Sequence, residues 1–191
     1  MAKIRYEENV YVAPEELYRV ETGYRMSGGF NLSIQGLTAG SHLPPLAPIS
    51  VDMATRTATL LKRVRVVESG SSAKKLKVSK YAQLSGGMFL SNGTSTLTVV
   101  SVDTSDKDFD LITAKADTSA FTLGAILFEA TDDSANQAKG VASYLAYAPT
   151  KVESGATVAA LARGFEVQTG KLYIPLTEED KKGLSDRFIF V

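Results

Sequence analysis

Apolar residues along this chain recur mostly at every second position. In KRVRVVE, residues 62–68, Val64 and Val66 point one way while Arg63 and Arg65 point the other, the pattern of a half-buried strand. KKLKVSK repeats it, with Leu76 and Val78 opposed to Lys75, Lys77 and Ser79. STLTVVSV, DLITAKA, FTLGAILF, ATVAALA and KLYIPL are further short runs, many rich in β-branched residues. Polar or glycine-bearing turns bound them: SGSS at 69–72, SNGTS at 91–95, DTSDKD at 103–108 and QTGK at 168–171. Such spacing predicts an all-β fold, an antiparallel β-sandwich or a β-barrel-like domain.

Helical signals are few. Thr177 before Glu178, Glu179 and Asp180, then Lys181, Lys182 and Gly183, supplies an N-cap, acids in the first turn, bases in the last and a glycine stop. APEELYR, residues 13–19, is a second candidate, with Pro14 at the first helical position. Residues 1–40 hold many charged and aromatic residues and the glycines of SGGF and QGLTAG, without a clean amphipathic pattern. They are expected to form an extended N-terminal arm. Residues 41–191 are expected to form the β-rich domain, with a hairpin around Asp52 at its entry and 69–135 as a possible inserted β subdomain.

Composition narrows the functional classes. The 191 residues include no Cys, so disulfides, thiolate nucleophiles and cysteine zinc sites are excluded. Acidic and basic residues balance at 21 each, which removes the global field that would draw the chain to nucleic acid or an anionic membrane. No apolar run approaches the ~20 residues of a membrane span. MAKIRYEENV has no apolar core of a secretory signal, so the chain is expected to be soluble and made in a cytoplasm.

Each chemical motif has a plain alternative. His42, the only histidine, is flanked by Ser41, Leu43, Pro44 and Pro45 and has no G-x-S-x-G elbow to serve, so it reads as a loop residue in an extended segment. Asp106, Asp108 and Asp110 alternate like the first ligands of a calcium loop, with Asp117 at the twelfth place. Leu111 stands where that loop requires glycine, which favours a solvated hairpin turn. GFEVQTGKL misses the phosphate-loop spacing by one residue and lacks its hydroxyl residue, and a hairpin turn at Thr169-Gly170 accounts for it better. The basic stretches Lys62 to Arg65 and Lys74 to Lys80 read as solvated strand faces. No catalytic residue, cofactor site or metal site is assigned, and the chain is not expected to be an enzyme.

The order of segments carries a resemblance. YRMSGGFNLSIQGLTAGSHLPPLAPISVDMATRTATLLKRVRV looks like the entry segment of head fiber proteins of tailed phages and prophages of gut Bacteroidales. VSVDTSDKDFDLITAKADTSAFTLGAILFEA is similar to the acidic hairpin and Gly-x-x-Leu-Phe strand of that family, and YLAYAPTKVESGATVAALARGFEVQTGKLYIPLTEEDKKGLSDRFIFV continues the likeness. A looser likeness to small lambda-type decoration proteins points the same way. The resemblance implies a structural virion protein on the outer surface of the phage head. Its partner would be the major capsid protein, with self-association as a trimer and no nucleic acid or membrane involved. Tyr6, Tyr11, Leu17, Tyr18, Tyr24 and Phe30 are then candidate capsid-binding anchors, because aromatics carry much interface energy. Packing onto the chain's own β-domain is their alternative. A non-catalytic module for host-surface or carbohydrate adhesion would share the architecture, although the absence of Trp weighs against it.

Overall fold

The structure is a computed structural model that describes residues 11, 13–71, 73–134 and 137–191. Among the described residues the strands are, in chain order, β1 (Arg19–Arg25), β2 (Phe30–Leu32), β3 (His42–Leu43), β4 (Pro48–Asp52), β5 (Thr57–Leu60), β6 (Arg63–Glu68), β7 (Lys75–Val78) and β8 (Phe89–Ser91). They continue with β9 (Thr96–Asp103), β10 (Asp110–Ala114), β11 (Ile126–Glu129), β12 (Tyr144–Ala146), β13 (Thr150–Lys151), β14 (Thr157–Val158), β15 (Ala160–Val167) and β16 (Phe188–Phe190). One short helix, α1 (Glu178–Leu184), lies between β15 and β16. The fold is all-β, as the alternation predicts.

Six strands close into an antiparallel barrel in the order β10-β7-β6-β11-β8-β9. Alternation explains its core: Val64, Val66, Leu76, Val78, Leu90, Leu97, Val99, Ile112 and Leu127 all turn inward and are buried together with Phe121. Where a loop crosses the barrel, Gly70 is required, because a Cβ there would lie 1.8 Å from the carbonyl oxygen of Thr118. Closure leaves the barrel with no long free edge.

The rest of the chain forms an eight-stranded sheet in the order β1-β15-β12-β4-β5-β2-β14, with β16 added to β15. Most pairs are antiparallel, but β2–β5 and β15–β16 are parallel. The hairpin around Asp52 is β4–β5, and its turn forms because the Asp52 carboxylate accepts the N–H groups of Ala54 (2.8 Å) and Thr55 (3.3 Å). Both faces of the sheet centre are covered. Leu145 and Leu161 pack with Leu17, Tyr18, Leu184 and Phe188, while their neighbours Ala146 and Ala160 pack with Phe30, Ile49, Val158 and Ile174. A separate pair, β3–β13, completes the strands.

The reading of residues 1–40 as an arm without its own core needs correction from residue 17 onward. Leu17, Tyr18 and Phe30 are buried, β1 pairs with β15, and β2 pairs with β5 and β14. The sequence hid this because β1 is bulged: Tyr24 is five positions from Arg19, whereas their partners Arg163 and Phe165 are only two positions apart. Thr22 repairs the ladder with its side chain, its hydroxyl accepting from the Phe165 N–H (2.9 Å) and donating to the Arg19 carbonyl (2.6 Å). Gly23 sits over Tyr18, since a Cβ there would be 2.8 Å from the phenol oxygen.

Three local expectations also change. APEELYR makes a 3₁₀ turn, Pro14–Glu16, and the Thr169-Gly170 site is a second 3₁₀ turn, Thr169–Lys171, instead of a hairpin. KLYIPL alternates as a strand would, with Leu172, Ile174 and Leu176 buried, yet it joins no ladder. Pro175 and the following N-cap leave it as a packed extended segment. Gly183 does not stop α1 but lies within it, close against Ala142, and the cap falls at Ser185.

Candidate functional site

The six candidate anchors take three different positions. Tyr6 lies outside the described residues. Leu17, Tyr18 and Phe30 serve the chain's own interior, Phe30 with the Arg56 guanidinium 4.5 Å over its ring. Burial, aided by Tyr147 and Glu15, raises the Tyr18 phenol above its ordinary value, in keeping with an internal role. Tyr11 is half-buried and Tyr24 is exposed, and they sit in unlike surroundings.

Tyr11 closes a three-tyrosine clasp. Its ring centroid lies 4.9 Å from Tyr173 and 5.9 Å from Tyr81, and Tyr81 and Tyr173 are 5.2 Å apart, all in tilted or edge-on geometry. Such geometry sets the positive edge of one ring on the negative face of the next. The clasp ties Tyr11 to the loop after β7 and to the segment before α1. Burial, then the neighbouring phenols of Tyr81 and Tyr173, push the Tyr11 phenol up to about 12.

Tyr24 stands on an exposed face of the large sheet. Its register partner on β15 is Arg163, whose guanidinium lies 5.7 Å from the Phe165 ring. Gly164 packs on Tyr18, so Arg163 and Phe165 point to the opposite side. On β16, Phe188 and Phe190 stack at 6.3 Å toward the core, which turns Ile189 outward. Tyr24 and Ile189, 59% and 49% exposed, thus flank Arg163 and Phe165 across three strands. Sequence reasoning found Tyr24 but missed the other three. The opposed pairs Arg187/Ile189 and Phe188/Phe190 in RFIFV carry the signal that could have found Ile189.

The sheet and the barrel are locked by a buried ion pair that the sequence reading assigned to a solvated face. Arg63 Nε and Nη2 donate to Asp180 Oδ2 (2.9 Å) and Oδ1 (3.1 Å), and the same guanidinium donates to the carbonyls of Gly140 (2.6 Å) and Lys62 (3.1 Å). Asp180 also accepts from the Ala142 N–H (2.9 Å) and the Thr177 hydroxyl (2.8 Å), while the Thr177 oxygen caps α1 through the Asp180 N–H (3.1 Å). Burial works against the Asp180 charge most strongly. The Arg63 hydrogen bonds and charge, with the Ala142 N–H and Thr177, outweigh it and hold the carboxyl below its ordinary value.

The acidic hairpin is organised by a lysine. Lys80 Nζ donates to the carbonyls of Thr104 (3.0 Å) and Asp106 and pairs with Asp110 Oδ1 at 3.3 Å. Its ammonium therefore stands at the centre of the turn, against the carbonyl and carboxylate oxygens. Asp106 Oδ1 accepts the Asp108 N–H (2.8 Å), and Asp108 pairs with Lys107 (3.1 Å). Burial raises the Asp110 carboxyl above its ordinary value despite Lys80. Among the described residues no group of three or more His, Cys, Asp or Glu side chains could hold a metal ion. His42 lies in β3 in register with Lys151.

No curated protein and no solved structure matches the chain. The family model for head fiber proteins of phages matches residues 2–189. The match takes in the leader, the barrel and the sheet together, and it agrees with an all-β structural body. The chain belongs to the phage head fiber protein family and is a structural protein of the phage head.

Proposed function

We propose that this chain attaches to the outside of the phage head by binding the major capsid protein, decorating or stabilising the shell. The observation that carries the reading is the span of the family match, residues 2–189, which leaves only residues 1, 190 and 191 outside the head-protein pattern. Two surfaces are suited to the contact. One is the leader MAKIRYEENV with Tyr6, next in sequence to the Tyr11 clasp. The other is the exposed face of Tyr24, Arg163, Phe165 and Ile189, whose aromatic and arginine content is that of protein interfaces.

A capsid offers many equivalent sites, so a modest affinity per copy suffices when copies also touch one another. Self-association as a trimer, implied by the resemblance, would add that avidity. The β1 edge itself is a poor template for strand addition because of its bulge, so contact through side chains is favoured.

Cosedimentation with assembled heads lacking this protein tests the proposal. The full chain is expected to bind saturably, and the double variant Tyr24→Ala with Ile189→Asp, or removal of residues 1–10, is expected to weaken binding at least tenfold. Retention of full binding by both variants would exclude these two surfaces. Failure of the full chain to bind would contradict the proposal itself.

A further inference from the structure

Where the short link between β5 and β6 crosses from sheet to barrel, a cleft of about 660 Å³ opens over Lys62. Its lining is mixed: the hydroxyl and amide side chains of Ser33, Gln35, Ser50, Thr59 and Ser85 alternate with leucines and Met88. Lys62 is only 5% exposed, yet among the described residues its ammonium has no carboxylate within ion-pair distance. Its contacts are the Gly36 carbonyl (2.6 Å) and, weakly, the Met88 sulfur (3.7 Å). The cleft's two other cations are already neutralised, Arg63 by Asp180 and Lys139 by Glu129 at 2.9 Å.

A buried ammonium with one good acceptor is expensive unless something else completes its shell. Desolvation accordingly lowers its pKa, with Glu129 opposing only in part. A solvated lysine at this point could have reached water by extending its stem, as lysines commonly do. This one instead stays inside, on the wall of a half-polar, half-apolar cavity large enough for a sugar residue or two. One cation and a ring of small hydroxyl groups are complementary to a ligand with one carboxylate and several hydroxyls.

We propose that the cleft over Lys62 binds an acidic saccharide, with the sugar carboxylate received by the Lys62 ammonium and its hydroxyls by Ser33, Gln35, Ser50, Thr59 and Ser85. The site would give a head-attached protein contact with acidic surface glycans. It stands apart from the shell-binding face and does not depend on it.

The test is NMR titration of the full chain with sodium D-glucuronate, D-glucose and sodium acetate, each to roughly 50 mM, a range that reads millimolar affinities. Glucuronate is expected to shift the backbone amides of Ser33, Gln35 and Ser85, with glucose and acetate at least tenfold weaker. Lys62→Met, checked for an unchanged thermal midpoint, is expected to lose glucuronate binding tenfold or more. If that variant is destabilised, Ser50→Ala with Thr59→Val gives the second reading, with a smaller loss expected. Equal binding of acetate would reduce the cleft to a simple anion site and overturn the saccharide assignment. Absence of shifts with glucuronate, or equal affinity in a folded Lys62→Met chain, would overturn the proposal altogether. None of these readouts involves the phage head, so failure here is distinguishable from failure of shell attachment.

Discussion

Arg63 and Asp180, 117 positions apart in the sequence, face each other through two parallel hydrogen bonds of 2.9 and 3.1 Å, with both side chains almost wholly buried. Arg63 opens the first barrel strand and Asp180 sits in the first turn of α1, so this pair fixes the barrel against the sheet. Removing one partner leaves an uncompensated buried charge. Asp180→Ala is therefore expected to destabilise the chain by about 3–5 kcal/mol in urea unfolding. A loss below about 1 kcal/mol would show that the pair is not the lock described here.

The same carboxylate sets the acid limit. Asp180 has a native pKa below its unfolded value, so its contribution is complete above about pH 4 and is lost as the pH falls through the lowered native pKa. Thermal midpoints measured from pH 6 downward should drop steeply at the acid end for the natural chain. Asp180→Asn should flatten that limb while lowering the plateau. Parallel curves would assign acid sensitivity to other carboxylates.

Tyr11 offers an opposite signature at high pH. A phenol held near 12 in the folded chain and near 10 unfolded stabilises fully below pH 10, and that share is lost as pH rises between the two values. Ultraviolet titration should show a tyrosine ionising near pH 12, and Tyr11→Phe should abolish that step. A Tyr11→Phe chain with an unchanged titration curve would disprove the clasp environment.

Shortening the chain separates leader from body. Removal of residues 1–10 leaves β1, the clasp and the buried apolar side chains of the described residues in place, so a cooperative transition close to that of the full chain is expected. Removal of residues 1–40 deletes β1, β2, Leu17, Tyr18 and Phe30 and should prevent the sheet from folding, at a cost of about 3–5 kcal/mol for a buried aromatic such as Phe30 alone. Circular dichroism and thermal melting of the two truncations read the difference. A folded 41–191 fragment would restore the arm boundary that the structure moves.

Strand content was legible because a half-buried strand writes its burial directly into alternate positions, as in Val64 and Val66 or Leu76 and Val78. The cap of α1 was legible because Thr177 and Asp180 are local partners, three residues apart. Arg63 was misplaced for a corresponding reason. Its alternation with Val64 correctly puts it outside the barrel, but what covers that outside is Asp180, brought there by the tertiary fold. The N-terminal segment failed similarly, because the bulge at Thr22-Gly23 breaks the period that would have revealed an edge strand. At the candidate surface, Tyr24 was found by residue type alone, whereas Arg163, Phe165 and Ile189 become neighbours only through the β1–β15–β16 pairing.

Gold-labelled antibody against this chain, applied to intact particles, bears most directly on attachment to the shell exterior. Regularly labelled heads, with no added signal after the particles are opened, are the predicted result. Unlabelled intact heads, with the chain recovered only from opened particles or from the lysate, would contradict it.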